Sequence, residues 1–297
     1  MRTLTRISLL TFLAALVFLS SPHPAPAFAQ DDQGSDSFEY KMLLLPALFA
    51  DREAGMQKFW SEVEKCAAGM NLRVKEFDAK PASERSVRFI DTKKFDIFKT
   101  GYILRDRSAK RGSLELTLKF RSSDAAVTSS KDVSPAAGLG GEVLFDEDIV
   151  ARENSIDRIY SKSGKVVVDS EPVMTVEGAA KIFPAVAGLG IAAKEELFTV
   201  NGIRVGETSV DYGRIYFGSS AKAKASFAAW FVNGRLLIVE FSFRLKLGES
   251  KPEAVKNRIS RNADVFFKSL RDRVKPWMAV GQTKTGLIYK MDGGNQE

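Results

Sequence analysis

From residue 37 onward the chain is built of short runs in which every second residue is apolar. Two longer stretches repeat their apolar residues every three or four positions instead. The first pattern predicts strands that bury one face, the second amphipathic helices. Residues 37–45 (SFEYKMLLL) place Phe38, Tyr40 and Met42 opposite Glu39 and Lys41, and Pro46 ends the strand. Residues 71–77 and 86–92 predict short strands, with Val87, Phe89 and Asp91 opposite Arg88 and Ile90. Residues 101–107 and 113–121 form a strand pair around the turn SAKRG. Ile103, Arg105 and Arg107 share one face of the first strand. In the second, Leu114, Leu116, Leu118 and Phe120 oppose Glu115, Thr117, Lys119 and Arg121.

Further strands are expected at 141–152, in a hairpin turning at Ser163-Gly164, and at 196–205, 207–217, 222–232 and 235–246. Asn233-Gly234 joins the last two as a two-residue hairpin. Residues 51–69 read as a helix with Met56, Phe59, Trp60 and Val63 in its stripe and Gly69 at its C-cap. Residues 252–274 read as a basic helix burying Val255, Ile259, Val265, Phe266 and Leu270. Weaker helical patterns lie at 93–99 and at 177–189, where Pro184 interrupts. Residues 122–141 read as a flexible Ser/Ala/Gly-rich loop, and GLIYKM near the end as a last short strand. The Gly-rich pieces at 138–141 and 188–190 lack the strand-then-helix setting of a dinucleotide site. The count, eight or more long antiparallel strands with two or three helices, predicts one α+β domain built on a barrel or strongly curved sheet.

The amino terminus changes this picture. Arg2 and Arg6 precede an apolar run ending near Leu19, and a Pro/Ala stretch closes on Ala27-Phe28-Ala29. This is the pattern of a secretory signal peptide, so residues 1–29 are expected to be removed and the protein exported, to the periplasm or outside the cell. Residues 30–36 form a polar lead, 37–274 the domain and 275–297 a tail. The formal charge falls from +7 to about +5 when Arg2 and Arg6 leave, a modest excess suited to anionic ligands. The only histidine, His23, lies in the signal segment, and Cys66 is the only cysteine. The mature chain therefore has no disulfide, no imidazole for a nucleophile triad and no histidine zinc site. Its chemistry must run on carboxylates, Lys, Arg and hydroxyls.

Strand after strand thus sets an apolar face against one carrying both signs of charge. Such a face often meets water. Turned inward, it would instead let cations grip phosphate oxygens through charge-assisted hydrogen bonds, while carboxylates hold a hard metal ion.

Four motifs carry a resemblance to a known family. Glu39-x-Lys41, VRFIDT (87–92), GYILRDR (101–107) and LELTLKFR (114–121) together resemble the CYTH domains of the triphosphate tunnel metalloenzymes. Fainter matches continue at FDEDI (145–149), DYG (211–213) and LIVEFSFRLK (237–246). The resemblance implies an antiparallel eight-stranded tunnel-like β-barrel with flanking helices, whose charged bore binds triphosphate or other polyphosphate-containing molecules, with Mg²⁺ or Mn²⁺ if it hydrolyses them. It implies substrate-binding roles for Lys41, Arg105, Arg107, Lys119, Arg121, Lys222 and Lys224. Lys41 and Arg105 would also be catalytic, and Glu39, Asp146, Asp148 and Glu240 would be metal ligands. Ser37 and Ser242 stand where the family pattern has carboxylates, so phosphate-binding positions are better kept than metal-binding ones. Two other readings stay open: a catalytically degenerate anion-binding module, and a surface binder using the basic helix on nucleic acid or anionic lipid.

Overall fold

The structure is a computed structural model that describes residues 37–77, 83–109, 114–169, 174–218, 221–248 and 251–291. The chain divides into Met1–Asp32 and Gln33–Glu297, and every described residue belongs to the second unit. The expected signal peptide, the 30–36 lead and most of the SAKRG turn lie outside the described residues.

Eleven strands form one sheet. They are β1 (Ser37–Leu44), β2 (Arg73–Glu76), β3 (Ser83–Asp91), β4 (Tyr102–Ala109), β5 (Leu114–Ser122) and β6 (Glu142–Ala151). The rest are β7 (Ile156–Val168), β8 (Phe198–Thr199), β9 (Val205–Tyr216), β10 (Lys222–Val232) and β11 (Arg235–Leu245). Six helices accompany them: α1 (Arg52–Gly69), α2 (Asp96–Lys99), α3 (Ala125–Ser129), α4 (Val176–Ile182), α5 (Glu253–Arg273) and α6 (Lys284–Lys290).

The spatial order is β2-β9-β10-β11-β1-β6-β7-β5-β4-β3-β8, and β9 also pairs with β3. That extra pairing, Ser83–Val87 against Ser209–Val205, closes nine strands into a ring, with β2 and β8 as additions at the seam. The expectation of eight antiparallel strands is corrected in two respects: the sheet has eleven strands, and β1 runs parallel to β6. The parallel pair follows from connectivity. The 122–141 segment is a crossover rather than a hairpin, which lets β6 leave in the same direction as β5.

Several local expectations change for identifiable reasons. The hairpin at Ser163-Gly164 is one continuous strand, β7. Gly164 is there because a Cβ would come within 1.7 Å of the Val133 carbonyl oxygen, not because a turn needs it. The segment carrying Val133 is the supposed flexible loop. It contains α3, N-capped by Asp124, and buries Val133 completely. The strand expected at 196–205 shrinks to β8 followed by a 3-10 turn, and GLIYKM falls largely in α6. Helix α1 ends not through Gly69 but through Asn71, whose φ of 54° is tolerated by a short polar side chain. In α5 Val265 is 50% exposed, and the buried stripe is Ile259, Ala263, Phe266, Phe267 and Leu270. The β10–β11 hairpin turns at Asn233-Gly234 as expected, both with positive φ.

Three apolar clusters fix the inside and outside of the ring. On one outer side α1 and α5 pack over β1, β10 and β11, where Tyr40 stacks on Phe243 at 4.5 Å and Phe59 lies 4.9 Å from Phe241. Each such ring contributes roughly 1.5–3 kcal/mol through burial. On another outer side Leu114, Leu116, Leu118 and Phe120 of β5 pack with α4. The third cluster joins Leu43, Val87, Phe89, Ile103, Trp230 and Ile238 to Ile288 and Tyr289 of α6. These strand residues share faces with charged residues of the ring's interior, so the third cluster is an apolar floor closed by α6. Tyr289 is anchored there by donating its hydroxyl to Asp91 at 3.1 Å.

Candidate functional site

The residues opposite the packed outer faces line a cavity of about 260 Å³. Period-two alternation makes this inevitable once the apolar faces are committed outward. β1 contributes Glu39 and Lys41, β4 contributes Arg105 and Arg107, and β5 contributes Thr117, Lys119 and Arg121. β6 adds Asp146, and β11 adds Glu240 and Arg244. Asp148, fully buried beside them, holds Lys41 at 2.7 Å and also pairs with Arg121.

Nine of the eleven residues expected at the site are thus brought together. Lys222 and Lys224 are not among those lining the cavity. Lys222 is exposed at the start of β10, and Lys224 is half exposed and paired with Asp211 at 3.1 Å. Both sit at the end of the strand furthest from the floor, so sharing a face with Arg244 does not carry them into the cavity.

The structure adds charged residues that sequence reasoning did not assign to the site. Arg244 donates to Glu39 at 2.6 Å, and its signal was available in the alternation of β11. Lys165 was hidden by the hairpin reading of β7. Glu207 pairs with Arg107 at 3.6 Å and accepts from the Trp230 indole at 2.8 Å. Lys284 comes from the tail, enters through the floor, and pairs with Glu240 at 2.7 Å. Nothing in the local sequence around Lys284 indicates this.

The electrostatics divide the site in two. Burial alone would raise the Glu39 carboxyl, but Lys41 and Arg244 outweigh it and lower the pKa to about 2. Burial likewise opposes ionisation of Asp148, yet Lys41, Lys119 and Arg121 hold it well below the usual carboxylate range. These pairs are internally compensated.

Arg105 and Lys119 are not. Arg105 has no carboxylate at ion-pair distance among the described residues, and its hydrogen-bond partner is Thr117 Oγ1 at 3.5 Å. Burial, then neighbouring Arg107, push its pKa down. Among the described residues Lys119 reaches one carboxylate, Asp148, at 4.0 Å. Burial is the largest influence on it, and Arg121, Lys41 and Arg105 add to the effect, so its pKa falls to about 7. The Nε atoms of Arg105, Arg107 and Arg121 and the hydroxyl of Ser161 are buried without a partner.

A divalent cation does not fit these carboxylates as arranged. Among the described residues no group of three potential ligands forms a metal site. Glu39, Asp148 and Glu240 are each held by a cation, and Asp146 accepts from Ser37 Oγ at 2.5 Å.

No protein-family model and no curated protein matches the sequence. Solved structures do. A candidate adenylate cyclase from Bacillus halodurans is 11% identical over 84% of this chain and 95% of its own, with a TM-score of 0.42. A candidate adenylyl cyclase from Hippeastrum, described as having a dominant triphosphatase activity, is 14% identical over 84% of this chain and 93% of its own, with a TM-score of 0.41. A candidate adenylate cyclase from Vibrio parahaemolyticus is 11% identical over 86% of this chain and 99% of its own, with a TM-score of 0.34.

Proposed function

We propose that this chain is a CYTH-like tunnel protein whose β-barrel interior binds a small molecule bearing a triphosphate or similar short polyphosphate. One observation carries the reading: Arg105 lies half-buried inside the ring with its Nε buried and unpartnered and, among the described residues, no carboxylate at ion-pair distance, next to Lys119, whose pKa burial lowers to about 7. A buried uncompensated cation costs several kcal/mol, and such an arrangement persists where a ligand supplies the missing charge. Phosphate oxygens suit the need because they accept several charge-assisted hydrogen bonds from forked guanidinium groups at once. Arg107 and Arg121 sit beside Arg105 in the same cavity, with Nε donors still open. The cavity volume matches a few phosphoryl groups rather than a polymer.

The helix-surface alternative is less well supported. On α5 four of the six cations are paired, Lys256, Lys268 and Arg271 with Glu253 or Asp272 and Arg273 with Glu62 of α1, while Arg258 and Arg261 are exposed. Its apolar stripe is spent on the ring. Residues 1–29 we read as an export signal. The amino-terminal mass of exported protein tests this, with cleavage after Ala29 expected.

The function is tested by titrating the mature chain with tripolyphosphate, pyrophosphate and a nucleoside triphosphate while following heat and thermal stability. Tripolyphosphate should bind and raise Tm, and Arg105→Ala should weaken it about 10- to 100-fold, the worth of one or two hydrogen bonds to a charged group. Absence of binding by all three anions would remove the proposal. Phosphate release in the same mixtures separates an enzyme from a binding module.

A further inference from the structure

Three of the cavity's carboxylates already hold cations, and one lysine serves two of them. Glu39 and Asp148 are cross-strand neighbours on the parallel pair β1–β6, the position at which two carboxylates would chelate a cation together. The ammonium of Lys41 lies between them, 3.0 Å from Glu39 Oε2 and 2.7 Å from Asp148 Oδ1. Arg244 holds Glu39 from one side, and Arg121 with Lys119 holds Asp148 from the other.

Mg²⁺ demands near-octahedral oxygen ligands and gives up water reluctantly. To enter here it would have to displace Lys41 and then sit within reach of two guanidinium groups and a second ammonium. Repulsion of that kind is strong in a site removed from bulk water. The remaining carboxylate of the cavity, Asp146, accepts a hydrogen bond from the hydroxyl of Ser37.

We infer that Lys41 serves as a built-in counter-cation in the place of a divalent metal, and that the cavity takes its polyphosphate as the free, metal-uncomplexed anion. The inference rests on the polyphosphate reading of the site and specifies the chemical form of the ligand. Free tripolyphosphate presents its full negative charge to Arg105, Arg107 and Lys119. The same anion wrapped around Mg²⁺ presents less charge and brings a cation into a cavity that already holds an excess of them.

Calorimetric titration of the full mature chain with tripolyphosphate, once with EDTA and once with excess MgCl₂, decides the matter. Binding should be complete in EDTA, and magnesium should weaken the apparent affinity by at least about tenfold, because metal-bound anion must be stripped before it enters. Binding that needs magnesium, or tightens with it, overturns the inference and leaves the polyphosphate reading standing. Absence of binding under both conditions overturns the two together.

A second measurement addresses Lys41 directly. The electron paramagnetic resonance signal of aqueous Mn²⁺ should be unchanged by the wild-type chain. It should be attenuated by Lys41→Gln, which leaves Glu39 and Asp148 facing each other without their shared cation. Attenuation by the wild type, or none by a folded Lys41→Gln variant, contradicts the role assigned to Lys41.

Discussion

Arg105 and Lys119 stand where stability and binding pull in opposite directions. Each is a basic group in a poorly hydrated interior without full compensation, Arg105 charged and Lys119 with its pKa lowered to about 7, so removing it relieves the fold while disabling the site. Arg105→Met should therefore raise Tm while abolishing tripolyphosphate binding, and a lowered Tm would show that the guanidinium is paired after all. Lys119 carries a pH dependence whose sign follows from proton counting. Its pKa is about 7 in the folded chain against 10.5 for a freely hydrated lysine, so between these values the unfolded chain binds the extra proton. Stability from this group accordingly rises with pH across that window. Anion binding has the reverse dependence, since it needs the ammonium. Near pH 8 tripolyphosphate should bind with proton uptake, seen as a heat that varies with the buffer's ionisation enthalpy, and Lys119→Met should abolish the uptake. At this scale much was legible: strict alternation on β1, β4 and β5 puts Glu39 and Lys41, Arg105 and Arg107, and Lys119 and Arg121 each on one face of their strand, while the resemblance, not the alternation, turns those faces inward. Lys222 and Lys224 obey the same alternation but fail because a face does not say how far along the ring a residue sits.

Elements were read well where period and punctuation agreed. The Asn233-Gly234 hairpin and the α1 and α5 spans needed only a local rule. β7 was misread because a Ser-Gly pair is ordinarily a turn signal, whereas Gly164 answers a tertiary demand, the close approach of the segment around Val133. Gly164→Ala distinguishes the two roles. With the backbone oxygen 1.7 Å from the new Cβ, the substitution should destabilise by about 3 kcal/mol or more, measured by denaturant unfolding. A change within half a kcal/mol would restore the turn reading. The α5 stripe offers a matched pair. Phe267→Ala should cost about 3–5 kcal/mol, while Val265→Lys should be nearly neutral, because α5 turns one to the ring and the other to solvent. The slip over Val265 is one of helical phase, since adjacent apolar residues lie 100° apart and sequence alone does not say which joins the buried arc.

At the scale of the whole molecule, the α+β class and the inside-out division of charge were present in the sequence, but the ring's closure was not. It depends on Val205–Ser209 of β9 pairing with β3 on the edge opposite β10, a contact between distant segments that no local pattern encodes. Nor did the sequence show that the last residues matter. Residues 275–291 return to the ring through the Leu45–Trp277 and Ala279–Leu43 backbone bonds, and α6 seals the floor. Tyr289→Ala should therefore lower stability by about 3–5 kcal/mol, as other large aromatic truncations in cores do. The central claim, that the inward cations hold a row of phosphoryl groups, is tested most directly by diffraction from crystals grown with tripolyphosphate. The account predicts phosphate density inside the ring, within hydrogen-bond distance of Arg105 and Lys119. Density confined to the outer face of α5, with the cavity holding only water, would contradict it.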